Sequence, residues 1–588
     1  MRPDSLIDGP RLRREQIFPE GRIDGRAALA SGRERAKSCR VGPNPFLAKH
    51  GVDCELAFKR RTMAEGRIAF HAQIGYRRLE DSRRAFAEIH DRLAECGWAP
   101  DRYGICLDWS MGYPKAERRG RPRGTGLILD RPEDFAALTA MAPVAPHFGD
   151  FVLGMPGAVE TAVAAIEAGA TTIGNLSQYF TFRLPDWPDD VVTTLATVEA
   201  LGLMAAQPVA MLAHSNLDDG YAAWFEDMAS ALGFAMIERR ICEDLVGLPL
   251  GHCFGHTYSD PLKRLAFHVA IAEANPAPGT MLYGNTTIYG ADAAANYGAL
   301  ASYLAVDMMA LRRRHSGHAV TPIPVTEAQR IPTIDEVIDA HRAARRLAER
   351  MASLAPLFAA DAAERLAETL LARGARFRDR VLDALAEGGV DLADPAEMLL
   401  ALRRIGPGQL ERWYGEPTTT AAPRVASSFV DEIEALADAA LARIDPATRA
   451  AVAARRPKVM VATTDVHFYG KRLLETVFRR LGVPVLDGGV SVEPDRLADR
   501  AAADGAEAVA VSTYNGVALS FVQRLKGALS RRRIDTPIFI GGRLNEIMED
   551  TGGSLPVEVT EEIRQSGATP CLGVEDLVHA LARLPSGK

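Results

Sequence analysis

The sequence has no excess of positive charge, few cysteines and no long hydrophobic run. Its 588 residues carry 69 Lys and Arg against 76 Asp and Glu, a formal charge of -7, so no overall basic surface favours nucleic acid as a partner. The seven cysteines lack the paired spacing of a zinc or iron-sulfur site. No run of about 18 apolar residues occurs, and the N-terminus lacks the apolar stretch of a signal peptide. We therefore expect a cytoplasmic protein without a membrane span.

The length and the 47% hydrophobic content predict several folded units. Residues 1–66 are polar and are interpreted as an N-terminal arm. Over 67–330, short apolar runs alternate with helical stretches, which predicts parallel strands and a closed (β/α)8 TIM barrel with an α/β fold. The eight predicted strands are 68–72, 103–108, 151–155, 171–175, 204–209, 234–238, 280–285 and 319–325.

After the barrel the pattern changes twice. Residues 331–456 repeat Ala, Arg, Leu and Glu at helical spacing and are predicted to form a helical connector. From 457 to 588 strands and helices alternate again with short crossovers, which favours an open doubly wound parallel sheet of the flavodoxin-like (Rossmann-like) kind. Such sheets bind ligands beyond the carboxyl ends of their strands.

The stretch "TTDVHFYG", residues 463–470, lies at that edge, after the first strand of the predicted sheet. One interpretation is structural: Asp465 caps a helix, His467 is a loop residue and Gly470 serves the backbone. The other is that His467 is a metal ligand whose second ring nitrogen is hydrogen-bonded by Asp465, an arrangement that fixes tautomer and basicity.

Asp465-x-His467-x-x-Gly470 resembles the DxHxxG signature of cobalamin-binding domains. The resemblance implies that His467 coordinates cobalt in place of the cofactor's dimethylbenzimidazole. Ser512 in "VSTYNG" matches the serine of that family's SxL segment, with Tyr514 in place of leucine, and Gly541 and Gly542 in "FIGGRLNE" match its glycine pair. Glycine there lets the nucleotide tail pass close to the backbone. These matches predict a cobalamin-binding domain at residues 457–588.

The connector, the "DWPDD" segment and the "STYNG" loop resemble glutamate mutase (methylaspartate mutase), with its catalytic and cobalamin-binding subunits fused in one chain. The resemblance implies adenosylcobalamin as cofactor, a radical carbon-skeleton rearrangement of a small-molecule substrate, and a homodimer. A corrinoid methyltransferase and a non-catalytic cobalamin carrier stay open as alternatives. A zinc-binding cysteine cluster, which a methyltransferase would use to activate its substrate, is not visible in the sequence.

The predicted barrel mouth departs from that family. Its carboxylate-binding arginines are missing from "FHAQIGY" (70–76), "CLDWSMGYP" (106–114) and "VLGMPGAVE" (152–160), although bidentate carboxylate recognition demands arginine. Arg77, Arg78 or Arg183 are possible replacements. The simplest inference is a substrate other than glutamate.

Polar residues at the predicted strand ends are the candidates for the substrate site, because barrel active sites lie at that face. Glu327 resembles a glutamate that binds the adenosyl ribose, and the accompanying lysine is not evident. His252 and His256 in "GHCFGH" have ligand-like spacing but more often such a pair is polar lining. The catalytic candidates are Asp108, Asn175, Tyr179 and Glu327, and the tentative substrate contacts are His71, Gln73, Trp109, Tyr283 and Asn285.

Overall fold

The structure is a computed structural model that describes residues 11–286, 288–420, 423–464, 468–514, 516–547 and 556–584. The chain divides into two compact units, 1–428 and 429–588. Within the described residues, no helix is long and apolar enough to cross a membrane.

A closed barrel of eight parallel strands forms the first unit, and the fold class predicted for this part of the chain is confirmed. The last strand pairs with the first through Ala69 with Ala319 and Phe70 with Val320. The strands are β1 (Ala69–Ile74), β2 (Arg102–Ile105), β3 (Ala145–Phe148), β4 (Thr172–Ile173), β5 (Leu212–Asn216), β6 (Leu250–Phe254), β7 (Met281–Leu282) and β8 (Ala319–Val320).

Three of the predicted strands are wrong. Residues 151–155 form a loop after β3, residues 204–209 end a helix, and residues 234–238 lie inside a helix. The strands at those places of the barrel are "APHF", "LAHSN" and "LGHCF" instead. Each carries a buried histidine, so a search for purely apolar runs passes over it.

Helices surround the barrel and continue through the region predicted as a connector. They are α1 (Arg14–Ile17), α2 (Gly25–Arg35), α3 (Pro45–His50), α4 (Glu55–Glu65), α5 (Leu79–Ala94), α6 (Pro132–Thr139), α7 (Ala158–Glu167), α8 (Gln178–Thr181), α9 (Asp190–Ala205), α10 (Met228–Arg239), α11 (Pro261–Ala274), α12 (Ala293–Arg313), α13 (Ile334–Leu354), α14 (Asp361–Glu387), α15 (Pro395–Ile405) and α16 (Pro407–Tyr414). Short 3-10 helices occupy Trp109–Gly112, Lys115–Glu117, Ala222–Trp224 and Ala355–Leu357, and a π-helix occupies Arg240–Val246.

The segment predicted as an N-terminal arm contributes to the barrel itself. Lys59 in α4 donates to the carbonyl oxygens of Thr280 and Gly317 at 3.0 Å each, and Arg102 donates to Glu55 at 2.8 Å. Thr280, Gly317 and Arg102 lie at or just before strand starts, so α4 closes the N-terminal end of the barrel.

The predicted connector is divided between the two units. Helix α14 packs on α10 so closely that a Cβ on Gly233 would lie 2.4 Å from the carbonyl oxygen of Gly374. Further along, Ala437, Ile444 and Val452 join the hydrophobic core of the second unit. The division therefore falls ahead of the predicted start at 457, because the last connector helices bury their apolar faces against the sheet.

The second unit is a five-stranded parallel sheet with helices on both faces, which confirms the flavodoxin-like prediction. The strands of the sheet are β9 (Val459–Thr463), β10 (Val485–Gly489), β11 (Ala508–Thr513), β12 (Ile538–Gly542) and β15 (Thr569–Cys571). Two short strands, β13 (Asn545–Glu546) and β14 (Val557–Glu558), lie outside it. The order in the sheet is β10-β9-β11-β12-β15, and β13 and β14 form a small antiparallel pair. The helices are α17 (Ser428–Arg443), α18 (Pro446–Arg455), α19 (Tyr469–Leu481), α20 (Pro494–Asp504), α21 (Ala518–Arg531), α22 (Thr560–Gln565) and α23 (Val574–Ala582).

Candidate functional site

The carboxyl edge of the sheet between β9 and β11 is the first candidate site. The strand order reverses there, because β9 pairs with β10 on one side and β11 on the other. In open α/β sheets this is the position at which connections diverge and leave a crevice for a ligand. The backbone N–H of Thr464 donates to the carbonyl oxygen of Ser512 at 3.1 Å, and Thr464 Oγ1 donates to Thr513 Oγ1 at 3.0 Å.

Small residues keep this edge open. A Cβ on Gly470, in the first turn of α19, would lie 2.3 Å from Ser512 Oγ. Ser512 is half-buried and Thr513 is buried. A larger side chain at Gly470 would therefore occupy the space in front of the Ser512 hydroxyl.

The two glycines that end β12 allow a second close approach. Gly542 has φ +98°, which favours glycine, and a Cβ there would lie 2.3 Å from the carbonyl oxygen of Thr513. A Cβ on Gly541 would lie 3.0 Å from the carbonyl oxygen of Cys571. The backbone at the end of β12 is consequently bare of side chains.

The other three residues predicted to bind the cofactor are Asp465, His467 and Tyr514. Asp465 and His467 lie outside the described residues. Tyr514 follows β11 and is half-buried. The structure thus brings Gly470 and Ser512 together at one sheet edge, and it places Gly541 and Gly542 at the end of the strand that pairs with β11.

An open parallel sheet with this bare carboxyl edge is typical of ligand-binding domains, and a comparison with known protein families supports cobalamin as the ligand. Residues 456–553 match the family described as the B12 binding domain. The chain therefore carries a B12-binding domain, and cobalamin binding by this part of the chain is supported. A search of curated proteins finds no match.

Among solved structures, the chain is similar to a novel cobalamin-binding protein from Desulfitobacterium hafniense DCB-2. The two are 22% identical, and the match covers 22% of this chain with a TM-score of 0.18. It spans 60% of the length of that protein.

The residues at the sheet edge fit a cobalamin tail. A long ligand that runs along the sheet edge requires backbone free of side chains, and Gly470, Gly541 and Gly542 provide it. Ser512 Oγ supplies a hydrogen-bonding group beside that space. These four residues would hold the cofactor from the described side of the crevice.

The interior of the barrel is the second candidate site, and it is polar. Arg102 Nη1 lies 3.5 Å from His71 Nδ1, and His71 Nε2 lies 2.9 Å from Gln73 Oε1. Gln73 Nε2 in turn donates to the Cys106 sulfur at 2.8 Å. Arg102 can only donate, so His71 Nδ1 is the acceptor of that bond. The proton of the neutral His71 ring is therefore on Nε2, which donates to Gln73 Oε1. The network runs from the floor of the barrel towards its C-terminal face.

Histidines of three alternate strands line the interior. The rings of His147 and His214 pack edge to face, with their centroids 4.3 Å apart. The ring centroids of His71 and His147 are 6.4 Å apart. Burial lowers the pKa of all three imidazoles well below the ordinary value, and the positive charge of Arg102 lowers it further. The barrel is therefore lined by neutral imidazoles. The sequence analysis missed His147 and His214, which a search for histidine flanked by apolar strand residues would have found.

Two titratable side chains at the carboxyl ends of the barrel strands, Tyr283 after β7 and Cys106 after β2, have raised pKa values. Burial raises the pKa of the Tyr283 phenol well above its ordinary value, and the carboxylates of Glu327, Asp219 and Asp150 raise it further. Burial likewise raises the pKa of the Cys106 thiol, with the same three carboxylates adding to the effect. Asp150, Asp219 and Glu327 follow β3, β5 and β8, so their positions in the chain are at the carboxyl end of the barrel. Asp150 and Asp219 were missed because the ends of β3 and β5 were misplaced.

Asn175, at the end of β4, is held in one orientation. Its Oδ1 accepts from the backbone N–H of Asn216 at 2.8 Å and from Ser177 Oγ at 2.7 Å. Its Nδ2 is buried and has no hydrogen-bond partner in the described part of the chain. These contacts assign the amide, since the oxygen is the atom that accepts.

Two predicted catalytic residues have structural contacts. The Asp108 carboxylate accepts the backbone N–H groups of Ser110, Gly124 and Gly126 at 2.9 to 3.1 Å, which folds the loop after β2. Tyr179 is buried in the helix layer, where its hydroxyl lies 2.6 Å from Thr194 Oγ1. Burial raises the pKa of the Tyr179 phenol.

The remaining candidates lie at the barrel ends or in its wall. Trp109 is half-buried beside the Asp108 loop, and Asn285 is buried after β7. His252 points away from the interior, because Nε2 lies 3.4 Å from Glu238 Oε2 and Nδ1 accepts from Asn275. Among the described residues, no group of three or more His, Cys, Asp or Glu side chains is arranged to hold a metal ion.

Proposed function

We propose that the chain is an adenosylcobalamin-dependent mutase that catalyses a 1,2 carbon-skeleton rearrangement of a small molecule other than glutamate. The observation that carries the proposal is the presence, in one chain, of a B12-binding domain and a closed barrel with a polar interior. When bound, the cofactor supplies a carbon radical by cleavage of its cobalt-carbon bond.

The barrel residues suit such chemistry because they bind and shield rather than transfer protons. Helix α4 closes the N-terminal end of the barrel through Lys59 and Glu55, so a substrate would enter from the opposite end. His71, His147 and His214 are neutral and add no charge beside a substrate. Asn175 presents a donor in a fixed direction.

In this proposal His467 would coordinate the cobalt and Asp465 would accept a hydrogen bond from its second ring nitrogen. Gly470, Ser512, Tyr514, Gly541 and Gly542 would surround the nucleotide tail. Glu327 contacts the adenosyl ribose. The protein acts in the cytoplasm as a homodimer. The catalytic roles of Asp108 and Tyr179 and the substrate contacts of Trp109 and Asn285 stay predictions.

Electron paramagnetic resonance on the cobalamin-loaded full chain tests the proposal. Added substrate is expected to produce a coupled signal of cobalt(II) and an organic radical. Turnover of methylcobalamin without any radical would instead identify a corrinoid methyltransferase. Cobalamin binding with neither activity, across amino acids and acyl compounds, would identify a carrier.

A further inference from the structure

One imidazole inside the barrel has a nitrogen that makes no hydrogen bond within the chain. The strand register sets His147 of β3 beside Gly104 of β2, and its ring packs against the ring of His214, so His147 points into the barrel. His147 is 1% exposed, and its Nε2 has no hydrogen-bond partner in the part of the chain that the structure describes. A buried polar atom without a partner is costly, so this nitrogen marks a place for a ligand.

The other ring nitrogen decides which kind of group can bind there. His147 Nδ1 lies 3.5 Å from the carbonyl oxygen of Thr172. A carbonyl oxygen can only accept, so Nδ1 carries the proton of the neutral ring and Nε2 is an acceptor. Burial and the positive charge of Arg102 hold the pKa of His147 well below its ordinary value, which keeps the ring neutral. His147 Nε2 therefore requires a hydrogen-bond donor.

Glycines on three neighbouring strands make room for the interior rings. Barrel interiors are ordinarily filled by branched apolar side chains, whereas Gly104, Gly149 and Gly174 lie in or directly after β2, β3 and β4. A Cβ on Gly104 would lie 2.7 Å from His71 Nε2, and a Cβ on Gly174 would overlap the ring of His214. The polar interior is therefore built into the backbone of these strands.

Gly149 leaves the space in front of His147 Nε2 open. It lies two residues after His147, on the same face of the chain and nearer to the carboxyl end of the barrel. A Cβ at residue 149 would lie 2.6 Å from His147 Nε2, 3.0 Å from Cδ2 and 3.5 Å from Cε1. Nε2 is the nearest of these ring atoms, so it is directed towards the mouth. A ligand that enters from the mouth reaches it over Gly149.

Three arginines bear on whether a carboxylate could bind at this place. Arg77 follows β1 and Arg123 lies in the loop after β2, so both belong to the carboxyl face, and each already has an interaction partner. They can contact outer parts of a substrate without changing what His147 Nε2 requires. Arg102 starts β2 at the opposite end, where its Nε donates to Glu55 at 2.8 Å. Its Nη2 has no hydrogen-bond partner among the described residues, so it is the competing group that a carboxylate probe has to test.

We propose that the substrate presents a neutral hydrogen-bond donor, an amide N–H or a hydroxyl, to His147 Nε2 inside the barrel. A carboxylate offers only lone pairs to that nitrogen and binds less well there. His147 thus distinguishes an amide or an alcohol from an acid of the same size. That the ligand is the substrate of a mutase rests on the proposed function. The hydrogen bond to His147 does not.

Four compounds of five non-hydrogen atoms form a matched set of probes. Propanamide and 1-butanol carry a neutral donor, methyl acetate is neutral without a donor, and propanoate is a carboxylate. Saturation-transfer NMR titrations on the full chain, with and without cobalamin, measure their dissociation constants, which for such small molecules lie in the millimolar range. A donor compound is expected to bind about fivefold more tightly than methyl acetate and propanoate, the size of one buried hydrogen bond. Which of the two binds better distinguishes the amide from the hydroxyl.

Two variants remove the interaction by different routes. His147→Leu removes the acceptor, and Gly149→Ala keeps it but fills the space in front of it. Each should abolish the advantage of the donor compound over methyl acetate. His147→Gln places an acceptor oxygen near the former position of Nε2 and should keep part of that advantage. Circular dichroism of each variant confirms folding.

Two control variants carry the same substitutions at other sites. His341→Leu replaces a buried histidine of α13, outside the barrel strands. Gly298→Ala adds a methyl group on α12, where the described structure leaves open space. Both should bind all four probes as the unmodified chain does.

Equal affinities of the four probes would overturn the inference, because a resident water molecule would then satisfy His147 Nε2. Tighter binding of propanoate would overturn it and assign the site to Arg102. A donor preference that both His147→Leu and Gly149→Ala retain, or failure of all four probes to bind, would overturn it as well.

The proposed function fails separately from this inference. The donor preference at His147, with no radical signal for any substrate, would refute the mutase and leave the hydrogen bond standing. A radical signal elicited solely by compounds without a neutral donor would refute the inference and leave the mutase standing.

Discussion

Gly470 and Ser512 face each other across the carboxyl edge of the second unit's sheet, where a Cβ on Gly470 would lie 2.3 Å from the Ser512 hydroxyl oxygen. The pair joins the start of α19 to the end of β11. It leaves room for a ligand only while residue 470 has no side chain.

Gly470→Ala is accordingly expected to weaken cobalamin binding about tenfold, or about 1.4 kcal/mol, because the methyl group displaces the Ser512 hydroxyl. Equilibrium titration with cobalamin, followed by its absorption spectrum, measures the loss. Gly527→Ala is the control, since its Cβ meets only Arg531 Nη1 at 3.4 Å. That control should bind normally and gain about 0.5 to 1 kcal/mol of stability. Unchanged affinity in Gly470→Ala would show that the cofactor does not use this space.

Gly542→Ala tests the second close approach. The variant must hold φ +98° and place a Cβ 2.3 Å from the Thr513 carbonyl oxygen, so local opening of β11 and β12 should become easier by at least about 2 kcal/mol. Gly482→Ala isolates the backbone cost, because Gly482 has φ +69° and nothing within 4 Å of its Cβ; about 1 kcal/mol is expected there. Hydrogen exchange of peptides that cover β11 and β12 measures the change produced by Gly542→Ala, and peptides around Gly482 measure the control. Equal effects of the two variants would mean that the contact with Thr513 is relieved without cost.

The buried histidines predict that acid destabilises the barrel. Their folded pKa values lie below the ordinary value of 6.5, so the unfolded chain binds more protons as the pH falls through 6.5, and stability is lost. Each histidine contributes up to about 1.4 kcal/mol per pH unit. Tryptophan fluorescence during urea unfolding reports on this unit alone, because all five tryptophans precede residue 429. His214→Gln should lower the slope of stability against pH by about one proton. A slope identical to that of the unmodified chain would contradict the assignment of neutral His214.

The effects of substituting Arg102 and Glu55, the ion pair at the N-terminal end of the barrel, on the free energy of unfolding should not be additive. Arg102→Met leaves the buried Glu55 carboxylate with only Lys59 at 3.6 Å as a cationic neighbour among the described residues, and we expect a loss of about 3 to 5 kcal/mol. Adding Glu55→Gln should restore most of that loss, because the uncompensated charge is then removed. The same fluorescence measurement follows both variants. A double variant as unstable as Arg102→Met would show that packing, rather than charge, holds α4 in place.

The sheet edge was predictable because its chemistry is local in the sequence. Gly470, Ser512, Gly541 and Gly542 each follow or end an apolar strand, and the order of those strands confines them to one edge. Their positions at this edge can therefore be predicted from the sequence without knowledge of tertiary contacts.

The barrel mouth was less predictable, for a physical reason. A barrel strand can bury polar side chains against each other inside the barrel, as β3 and β5 do with His147 and His214. The sequence of such a strand is then not a continuous apolar run, so a search for apolar runs misses it. Because β3 and β5 were misplaced, Asp150 and Asp219 were not among the candidates. Tyr179, in contrast, does follow β4 in the sequence, as the prediction of a catalytic role required. The turn after β4 nevertheless places its side chain in the helix layer.

The lower ligand of the cobalt is the central claim, and one spectrum tests it. The full chain is produced with 15N-labelled histidine, loaded with unlabelled cobalamin and reduced to the cobalt(II) state for electron paramagnetic resonance. If His467 is the ligand, each cobalt line is split into a doublet by one 15N nucleus, and His467→Ala abolishes that doublet. A triplet, which a 14N nucleus of the cofactor's own dimethylbenzimidazole produces, would contradict the account.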